Sequence, residues 1–279
     1  MRISEFITRA TKALSSTSST PRLDSELLLC HALKKERAWL FTWPEYSLTV
    51  VEEKQAGELL ARRCAGEPVA YIIKQKYFWS LSLKVNRSTL IPGPDTERVV
   101  ELALDVSVPA TARVLDLGTG SGAIALSLAK EHPEWKVTGV DYQPGAVRLA
   151  KENAVLNHIA NAVFFQSNWF DQVDDTCFDL IVSNPPYIDK DDPHLQQGDL
   201  RFEPATALVA ADRGLQDIRH IVTHAPNYLV PGGWLICEHG YQQCQAVKKI
   251  FLQNGFQCIE TFTDLRGHER VTMGKKTDE

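Results

Sequence analysis

The residues of this chain best placed to do chemistry are Asn184-Pro185-Pro186-Tyr187, directly after the apolar run Phe178-Asp179-Leu180-Ile181-Val182-Ser183. The run reads as a buried strand, because it is short, apolar and closed by turn residues. Two prolines forbid continuation as sheet or helix and make the exit rigid. An Asn amide and a Tyr ring are thereby held at the carboxyl end of a strand, the edge where open α/β sheets place their ligands. An Asn amide followed by a rigid backbone carbonyl suits hydrogen bonding to a planar amide or amino nitrogen. An aromatic ring suits stacking on the same planar group. Pro-Pro alone would mark only an ordinary turn; the strand before it and a second motif upstream argue for more.

That second motif is Val114-Leu115-Asp116-Leu117-Gly118-Thr119-Gly120-Ser121-Gly122-Ala123. A Leu-rich, β-branched strand runs into alternating glycines, and Ala123 to Lys130 then reads as a helix. Glycines let the backbone approach a ligand where a Cβ would collide. The next strand, Val137 to Val140, ends in Asp141, at a distance along the chain that suits a carboxylate gripping ribose hydroxyls. Asp141 equally suits a cap for the helix starting near Pro144. Glycine spacing alone does not choose between a dinucleotide and another adenosine cofactor. Asp116 beside the turn is a poor neighbour for a pyrophosphate and suits the cationic amino acid end of S-adenosylmethionine, or else simply orients the turn.

These motifs need a scaffold, and the rest of the chain supplies an alternation of strand and helix. Val137–Val140, Pro144–Leu156, Val163–Gln166, Phe178–Ser183, Asp217–Leu229, Trp234–Cys237 and Ala246–Asn254 follow one another. Such alternation implies an α/β domain with a mostly parallel sheet and crossover helices. Gln257–Phe262 and Arg270–Met273 suit a terminal hairpin. Pro94 suits the start of a helix carrying Val99, Val100, Leu102 and Leu104. Ahead of it, the run 77–85 alternates like a strand of a connecting hairpin. The first part reads as helical. Ser19-Thr20-Pro21 suits a cap with proline in the first turn, Leu23, Leu27, Leu28 and Leu33 fall near helical spacing, and a further helix is expected over Val50–Arg63. The expected organisation is an N-terminal helical domain over 1–72, a connecting β-hairpin over 73–93 and a catalytic domain over 94–279.

The length of 279 residues accommodates a large domain and a small one. The hydrophobic content of 44 % is that of a globular core, and no apolar stretch reaches membrane-spanning length. The Met1–Glu5 start lacks a secretory signal core, so a cytoplasmic protein with no membrane association is expected. Cys30, Cys64, Cys177, Cys237, Cys244 and Cys258 are scattered without paired spacing and read as reduced thiols. His239, His268 and the other histidines lack the spacing of a metal site, so no metal is expected. A net charge of −5 argues against nucleic acid as the primary ligand.

With both motifs in view, the chain from about Arg113 to Gly274 resembles the class I S-adenosylmethionine-dependent methyltransferases. It is most similar to the release-factor glutamine methyltransferases, the HemK/PrmC family. That likeness extends over the whole chain through Phe78-Trp79-Ser80, Leu90-Ile91-Pro92-Gly93-Pro94-Asp95-Thr96-Glu97, Ser167-Asn168-Trp169-Phe170, Arg201-Phe202-Glu203-Pro204 and Gly267-His268-Glu269-Arg270-Val271. The resemblance implies a Rossmann-like sheet whose final strand is antiparallel. It implies S-adenosylmethionine as methyl donor, leaving S-adenosylhomocysteine, with Gly118, Thr119, Gly120, Ser121, Gly122, Asp141, Trp169 and Asn184 as cofactor contacts. Trp169 would touch adenine, although a core anchor is its plainer role. The reaction implied is methylation of the side-chain amide nitrogen (N5) of the glutamine in a Gly-Gly-Gln motif of class 1 peptide-chain release factors, modulating translation termination. Asn184, Pro185, Pro186 and Tyr187 would bind that amide, with Asn184, Pro185 and Tyr187 carrying the chemistry. The helical domain would dock the protein substrate.

Three positions depart from the family pattern: Gly93 where Arg is usual, Asn168 where Asp is common, and Lys74 where Gly is common. None removes either motif, so an active enzyme is expected. Arg201 and Glu203 suit ordering of the loop after Tyr187. The competing readings are a methyltransferase for the exocyclic amine of adenine or guanine in DNA or RNA, and a noncatalytic adaptor that retains cofactor binding. The former needs a flipped or single-stranded base and a basic track.

Overall fold

The computed structural model describes residues 1–277. They form two compact units, one of Met1–Gln75 with Pro193–Phe202, the other of Lys76–Asp192 with the chain from Glu203 onward.

The first unit is helical: α1 (Ile3–Leu14), α2 (Pro21–Leu33), α3 (Arg37–Thr42), α4 (Val50–Cys64) and α5 (Val69–Ile73). Ile3, Phe6, Ala10 and Leu14 repeat at helical spacing on α1 and bury one stripe against Leu29, Leu40, Ala56 and Leu60. A reciprocal capping box starts α4: the Glu52 amide donates to Thr49 Oγ1 at 3.3 Å, and the Thr49 amide donates to Glu52 Oε2 at 2.8 Å. At α2 the expected cap is replaced. Thr20 makes no side-chain cap, and its hydroxyl instead donates to Asp24 Oδ1 at 3.1 Å. Leu23 is correspondingly turned out, 38 % exposed, while Asp24, Ser25 and Glu26 are buried with Leu28 and Leu29. The buried Arg63 accounts for this: its Nε donates to Asp24 Oδ2 at 2.8 Å and its Nη1 to Asp199 Oδ1 at 2.9 Å. Such a pair adds little net stability over apolar packing but is costly to break, so it fixes which face of α2 meets α4.

The second unit begins with a separate hairpin, β1 (Gln75–Phe78) and β2 (Leu81–Lys84), followed by α6 (Pro94–Asp105). The sheet then takes β3 (Arg113–Leu117), β4 (Lys136–Asp141), β5 (Ala162–Gln166) and β6 (Phe178–Ser183), with α7 (Ala123–Glu131) and α8 (Pro144–Leu156) as crossovers. After a short α9 (Ala211–Gly214) and α10 (Gln216–His224) come β7 (Leu229–Glu238), α11 (Cys244–Gln253), β8 (Phe256–Thr263) and β9 (Glu269–Lys276). The seven strands are ordered β5-β4-β3-β6-β7-β9-β8. The first five are mutually parallel; β9 runs antiparallel to both β7 and β8. This is the expected architecture, with β9 inserted between its two predecessors.

Burial on both faces explains the near-continuous apolar runs of β3 and β6. Val114 and Leu180 point into the cluster shared with α6, α7 and α8, whereas Leu115 and Ile181 point into the cluster shared with α10 and α11. The chain winds outward from β3 through β4 to β5, then returns to place β6 on the other side of β3. The carboxyl ends of β3 and β6 therefore flank the switch in winding direction, where a crevice opens.

Several boundaries differ from expectation, and three of the differences have a local cause. The run 77–85 holds both arms of the hairpin, because Trp79 takes a left-handed φ of 54° and reverses the chain. The helix expected to reach Leu229 ends at His224, since Pro226 supplies no amide and converts the end to a short 3-10 turn. Freed from that helix, Leu229 starts β7, which is longer than the apolar core Trp234–Cys237.

Candidate active site

The glycine turn between β3 and α7 is held from several sides. The amides of Gly118 and Thr119 both donate to the Val140 carbonyl at 2.9 Å, tying the turn to β4. Gly118 has φ of 72°, and a Cβ there would meet the Trp169 ring at 3.4 Å. Glycine meets the demand for a left-handed backbone here, and the Trp169 ring packs beside it. From α8, the fully buried Asn153 donates through Nδ2 to the Ser121 carbonyl at 2.9 Å and to the Lys84 carbonyl at 3.0 Å. Asp116 is buried beneath the turn. Its Oδ2 accepts from the Thr119 hydroxyl at 2.7 Å and the Ala125 amide at 3.2 Å, while Oδ1 has no partner. Burial pushes its pKa up to about 7, against the pull of those two donors. Asp116 therefore orients the turn and start of α7, and it does not line the cavity above them.

Asp141 stands at the end of β4. Its Oδ2 accepts from the Gly120 amide at 2.9 Å and its Oδ1 from the Gln143 amide at 2.8 Å, at the start of α8. The helix-capping role and a place in the site are therefore compatible. A carboxylate has about four lone-pair positions, so two remain for a ligand. Burial raises its pKa, partly offset by the two amides.

Above the turn lies a cavity of about 360 Å³. Gly118, Thr119, Gly120, Ser121, Asp141, Trp169, Asn184 and Pro186 line it. Gly122, Pro185 and Tyr187 lie outside that lining. Gly122 precedes α7 with φ of 82°, and Pro185 is buried. Trp169 holds a left-handed φ of 51°, uncommon for an aromatic residue. Asp217, at the start of α10, also lines the cavity, and burial raises its pKa. Nothing in its sequence surroundings marks it, because it reaches the site only through the fold of the segment after β6.

Asn184 donates through Nδ2 to Thr96 Oγ1 at 2.9 Å. Thr96 sits in the first turn of α6 and itself lines the cavity. The Tyr187 ring turns away to the strand β7, where its hydroxyl donates to Glu238 Oε1 at 3.1 Å. The Gln243 amide group donates to the Tyr187 carbonyl at 2.9 Å. A Cβ on Gly214 would lie only 2.0 Å from that carbonyl, so α9 passes Tyr187 in a form open to glycine alone. Burial drives the Tyr187 pKa well up, reinforced by the Glu238 charge. Burial likewise pushes Glu238 up to about 7. The Asn-Pro-Pro-Tyr motif thus divides, with Asn184 and Pro186 facing the cavity and Tyr187 locking the loop behind it.

The family departures have local explanations. Gly93 precedes α6, and nothing lies within 4 Å of where a Cβ would stand. Asn168 lines the cavity and donates through Nδ2 to Asp171 Oδ2 at 3.1 Å. Lys74 ends α5 in a left-handed conformation with φ of 56°, which glycine adopts more readily. Glu203 Oε2 accepts from the Ile91 amide at 2.8 Å, so it orders the segment beside the cavity. Arg201 lies over the Phe202 ring. Among the described residues no cluster of His, Cys, Asp or Glu has the arrangement of a metal site, and no helix is long and apolar enough to cross a membrane.

Comparison with known proteins shows the family. Residues 5–73 match the PrmC N-terminal domain, and residues 100–212 match the methyltransferase small domain. A release factor glutamine methyltransferase of Vibrio cholerae is 57 % identical over 261 residues, spanning 93 % of this chain and 91 % of the relative. One of Escherichia coli is 49 % identical over 258 residues, spanning 92 % and 93 %. In fold, a methyltransferase from Pyrococcus furiosus superposes with a TM-score of 0.56 at 17 % identity, over 79 % of this chain and 99 % of that one. With identity of this order across nearly the full length, the chain belongs to the release factor glutamine methyltransferase family.

Proposed function

We propose that this protein is a cytoplasmic enzyme that methylates the side-chain amide nitrogen of the glutamine in the Gly-Gly-Gln motif of class 1 peptide-chain release factors, with S-adenosylmethionine as donor. The observation that carries this reading is the Asn184 amide at the cavity wall, its NH2 end committed to Thr96 at 2.9 Å. Its Oδ1 is thereby presented as an acceptor, the complement of a substrate NH2 group.

The cavity residues suit the donor. Its volume of about 360 Å³ lies within the range of small-molecule sites. The glycine turn presents backbone without side chains, and Asp141 keeps lone pairs for ribose hydroxyls. Trp169 offers an apolar face for adenine. When bound, S-adenosylmethionine supplies a methyl group already activated by its sulfonium.

The protein's own contribution is orientation and exclusion of water. A carboxamide nitrogen is a weak nucleophile because its lone pair is delocalised into the carbonyl. Asn184 Oδ1 accepts one amide N–H and the Pro185 carbonyl accepts the other, which turns the nitrogen lone pair toward the methyl group. Both hydrogen bonds strengthen as the nitrogen gains positive charge, so they favour the transition state over the ground state. The nitrogen then releases one proton to solvent. Tyr187 anchors the loop through Glu238, holding the Pro185 carbonyl in place. The helical unit supplies binding energy remote from the reaction by docking the body of the protein substrate.

The decisive experiment is transfer of labelled methyl from S-adenosylmethionine to a purified release factor, compared with RNA and DNA. Label on the glutamine of Gly-Gly-Gln supports the reading. Label confined to nucleic acid would replace it with an exocyclic-amine methyltransferase, and no transfer with retained donor binding would leave an adaptor.

A further inference from the structure

Among the described residues, the side chains lining the cavity include two carboxylates, Asp141 and Asp217, and no lysine, arginine or histidine. A concave wall of one sign focuses its field on the space it encloses and favours an occupant of the other sign. The two carboxylates are not equivalent. Asp141 accepts from the Gly120 amide at 2.9 Å and the Gln143 amide at 2.8 Å, so the backbone answers much of its charge. Asp217 sits half-buried in the first turn of α10. What opposes the upward push of burial on its carboxyl is the His220 charge and the Trp169 side chain, with no backbone amide hydrogen bond among the causes. His220 is a poor counterion. Its ring lies 4.3 Å from that of His224, and burial together with the His224 charge lowers its pKa. At about pH 8 such a histidine is neutral, and Asp217 keeps its negative charge without a cationic partner.

We infer that Asp217 is a specificity-determining residue, one that makes the cavity prefer a cationic occupant, the methyl donor, over its neutral thioether product. This rests on the S-adenosylmethionine reading above. The donor carries a net positive charge, a sulfonium and an ammonium against one carboxylate. Transfer leaves the bonding electron pair on sulfur, forms a carbon–nitrogen bond and ends with loss of a proton from the amide nitrogen. The nucleoside left in the cavity has lost the sulfonium charge and keeps every other group. Shape and hydrogen bonding therefore distinguish donor from product only by one methyl group, whereas charge distinguishes them by a full unit. In a cavity of about 360 Å³ the sulfonium stays close to the walls, where charges interact more strongly than in bulk water. Asp141, proposed for the ribose hydroxyls that both molecules share, serves the two alike. Asp217 is left to tell them apart, and its loss would let the product compete with the donor.

The test is titration calorimetry of the full-length protein at about pH 8, with S-adenosylmethionine, S-adenosylhomocysteine and sinefungin, the analogue in which a carbon bearing a charged amine replaces the methylsulfonium. Asp217→Asn keeps the shape and removes the charge. It is expected to weaken donor binding about 3- to 10-fold, the scale of a partly exposed charge pair, and to leave product binding within about 2-fold. The contribution of the methyl group itself is common to wild type and variant and cancels in this comparison. Sinefungin should lose affinity as the donor does, because it keeps the charge without the sulfur. Asp217→Glu, which restores the charge, should recover part of the preference. Asp141→Asn, by contrast, should weaken donor and product together. In the wild-type protein, raising salt from about 0.02 M to about 0.5 M should weaken donor binding more than product binding. That measurement carries the test if the Asp217 variants do not fold. Equal changes for donor and product in a folded Asp217→Asn, or equal salt dependence of the two in the wild type, would overturn the inference. Failure of the wild-type protein to bind either molecule would instead overturn the donor assignment beneath it.

Discussion

The Gly120 amide donates to Asp141 Oδ2 at 2.9 Å, so the carboxylate that ends β4 holds the glycine turn that ends β3. The two strands are neighbours in parallel register, with Leu117 beside Val140, which brings both ends to one edge. A ligand gripped by Asp141 is thereby placed directly over the turn.

Replacement of Asp141 tests that coupling. Asp141→Ala removes the carboxylate that accepts from the Gly120 and Gln143 amides, and with it the proposed ribose acceptors. Donor affinity by calorimetry should fall by about 1.5–3 kcal/mol, the value of hydrogen bonds to a charged group. Unchanged affinity in a folded variant would confine Asp141 to holding the turn and capping α8.

Asn184→Ala separates chemistry from binding. The side chain touches the cavity through one wall, whereas the turn, Asp141 and Trp169 are untouched by the change. Methyl transfer should drop about 100-fold or more, as on loss of an oriented transition-state contact, with much smaller change in donor affinity. Near-normal turnover would eliminate the proposed role.

Asp116 predicts a particular dependence of stability on pH. Its carboxyl has a pKa of about 7 when folded and the ordinary low value when unfolded. Between about pH 4 and 7 the folded protein holds a proton that the unfolded chain has lost. Stability from this group is therefore greatest at the acidic end and declines as pH rises, by about 1.4 kcal/mol per pH unit, until it levels off above about 7. Asp116→Asn should flatten that slope in denaturant titrations at several pH values; an unaltered slope would assign it to other groups.

Lys74→Gly should stabilise the helical unit. The residue is exposed and holds φ of 56°, so the substitution removes left-handed strain and loses no buried contact. The net gain is about 0.5–1 kcal/mol after the extra entropy of glycine in the unfolded chain. A rise in the urea midpoint without a change in slope is the expected signature.

The proposed docking by the helical unit makes a selective prediction. Phe41 and Trp43, close together in sequence at the end of α3, expose 53 % and 56 % of their surface. Trp43→Ala with Phe41→Ala should impair methylation of an intact release factor more than that of a short Gly-Gly-Gln peptide. Equal rates for both substrates before and after substitution would leave the unit a stabilising one. Gly93→Arg belongs in the same assay, since a Cβ at Gly93 meets nothing within 4 Å.

What the sequence by itself determined was the material with a period or a punctuation mark. The strand-helix alternation, the glycine turn, the Asn-Pro-Pro-Tyr exit and Asp141 were all legible, because apolar runs, glycine and proline act on the backbone locally. Legible too was the family, through motifs spread along the chain. Local residues did not specify the division of labour within the motifs. Asp116 lies beneath the turn rather than in the cavity, and Tyr187 turns to β7, because alternate residues of a strand and successive residues of a loop face different layers once packed. Nor did they announce Thr96, Asn153, Asp217 or Glu238. Thr96 and Asn184 are 88 positions apart and Tyr187 and Glu238 are 51 apart; only the winding that brings β6 back between β3 and β7 makes them neighbours. The same holds for Leu23 and Asp24, where helical spacing named the apolar residue as core and the buried Arg63, 39 positions from Asp24, turned the acidic one inward. Local propensity sets which elements form, while the pairing of buried polar groups is a property of tertiary contact and is decided only when distant elements meet.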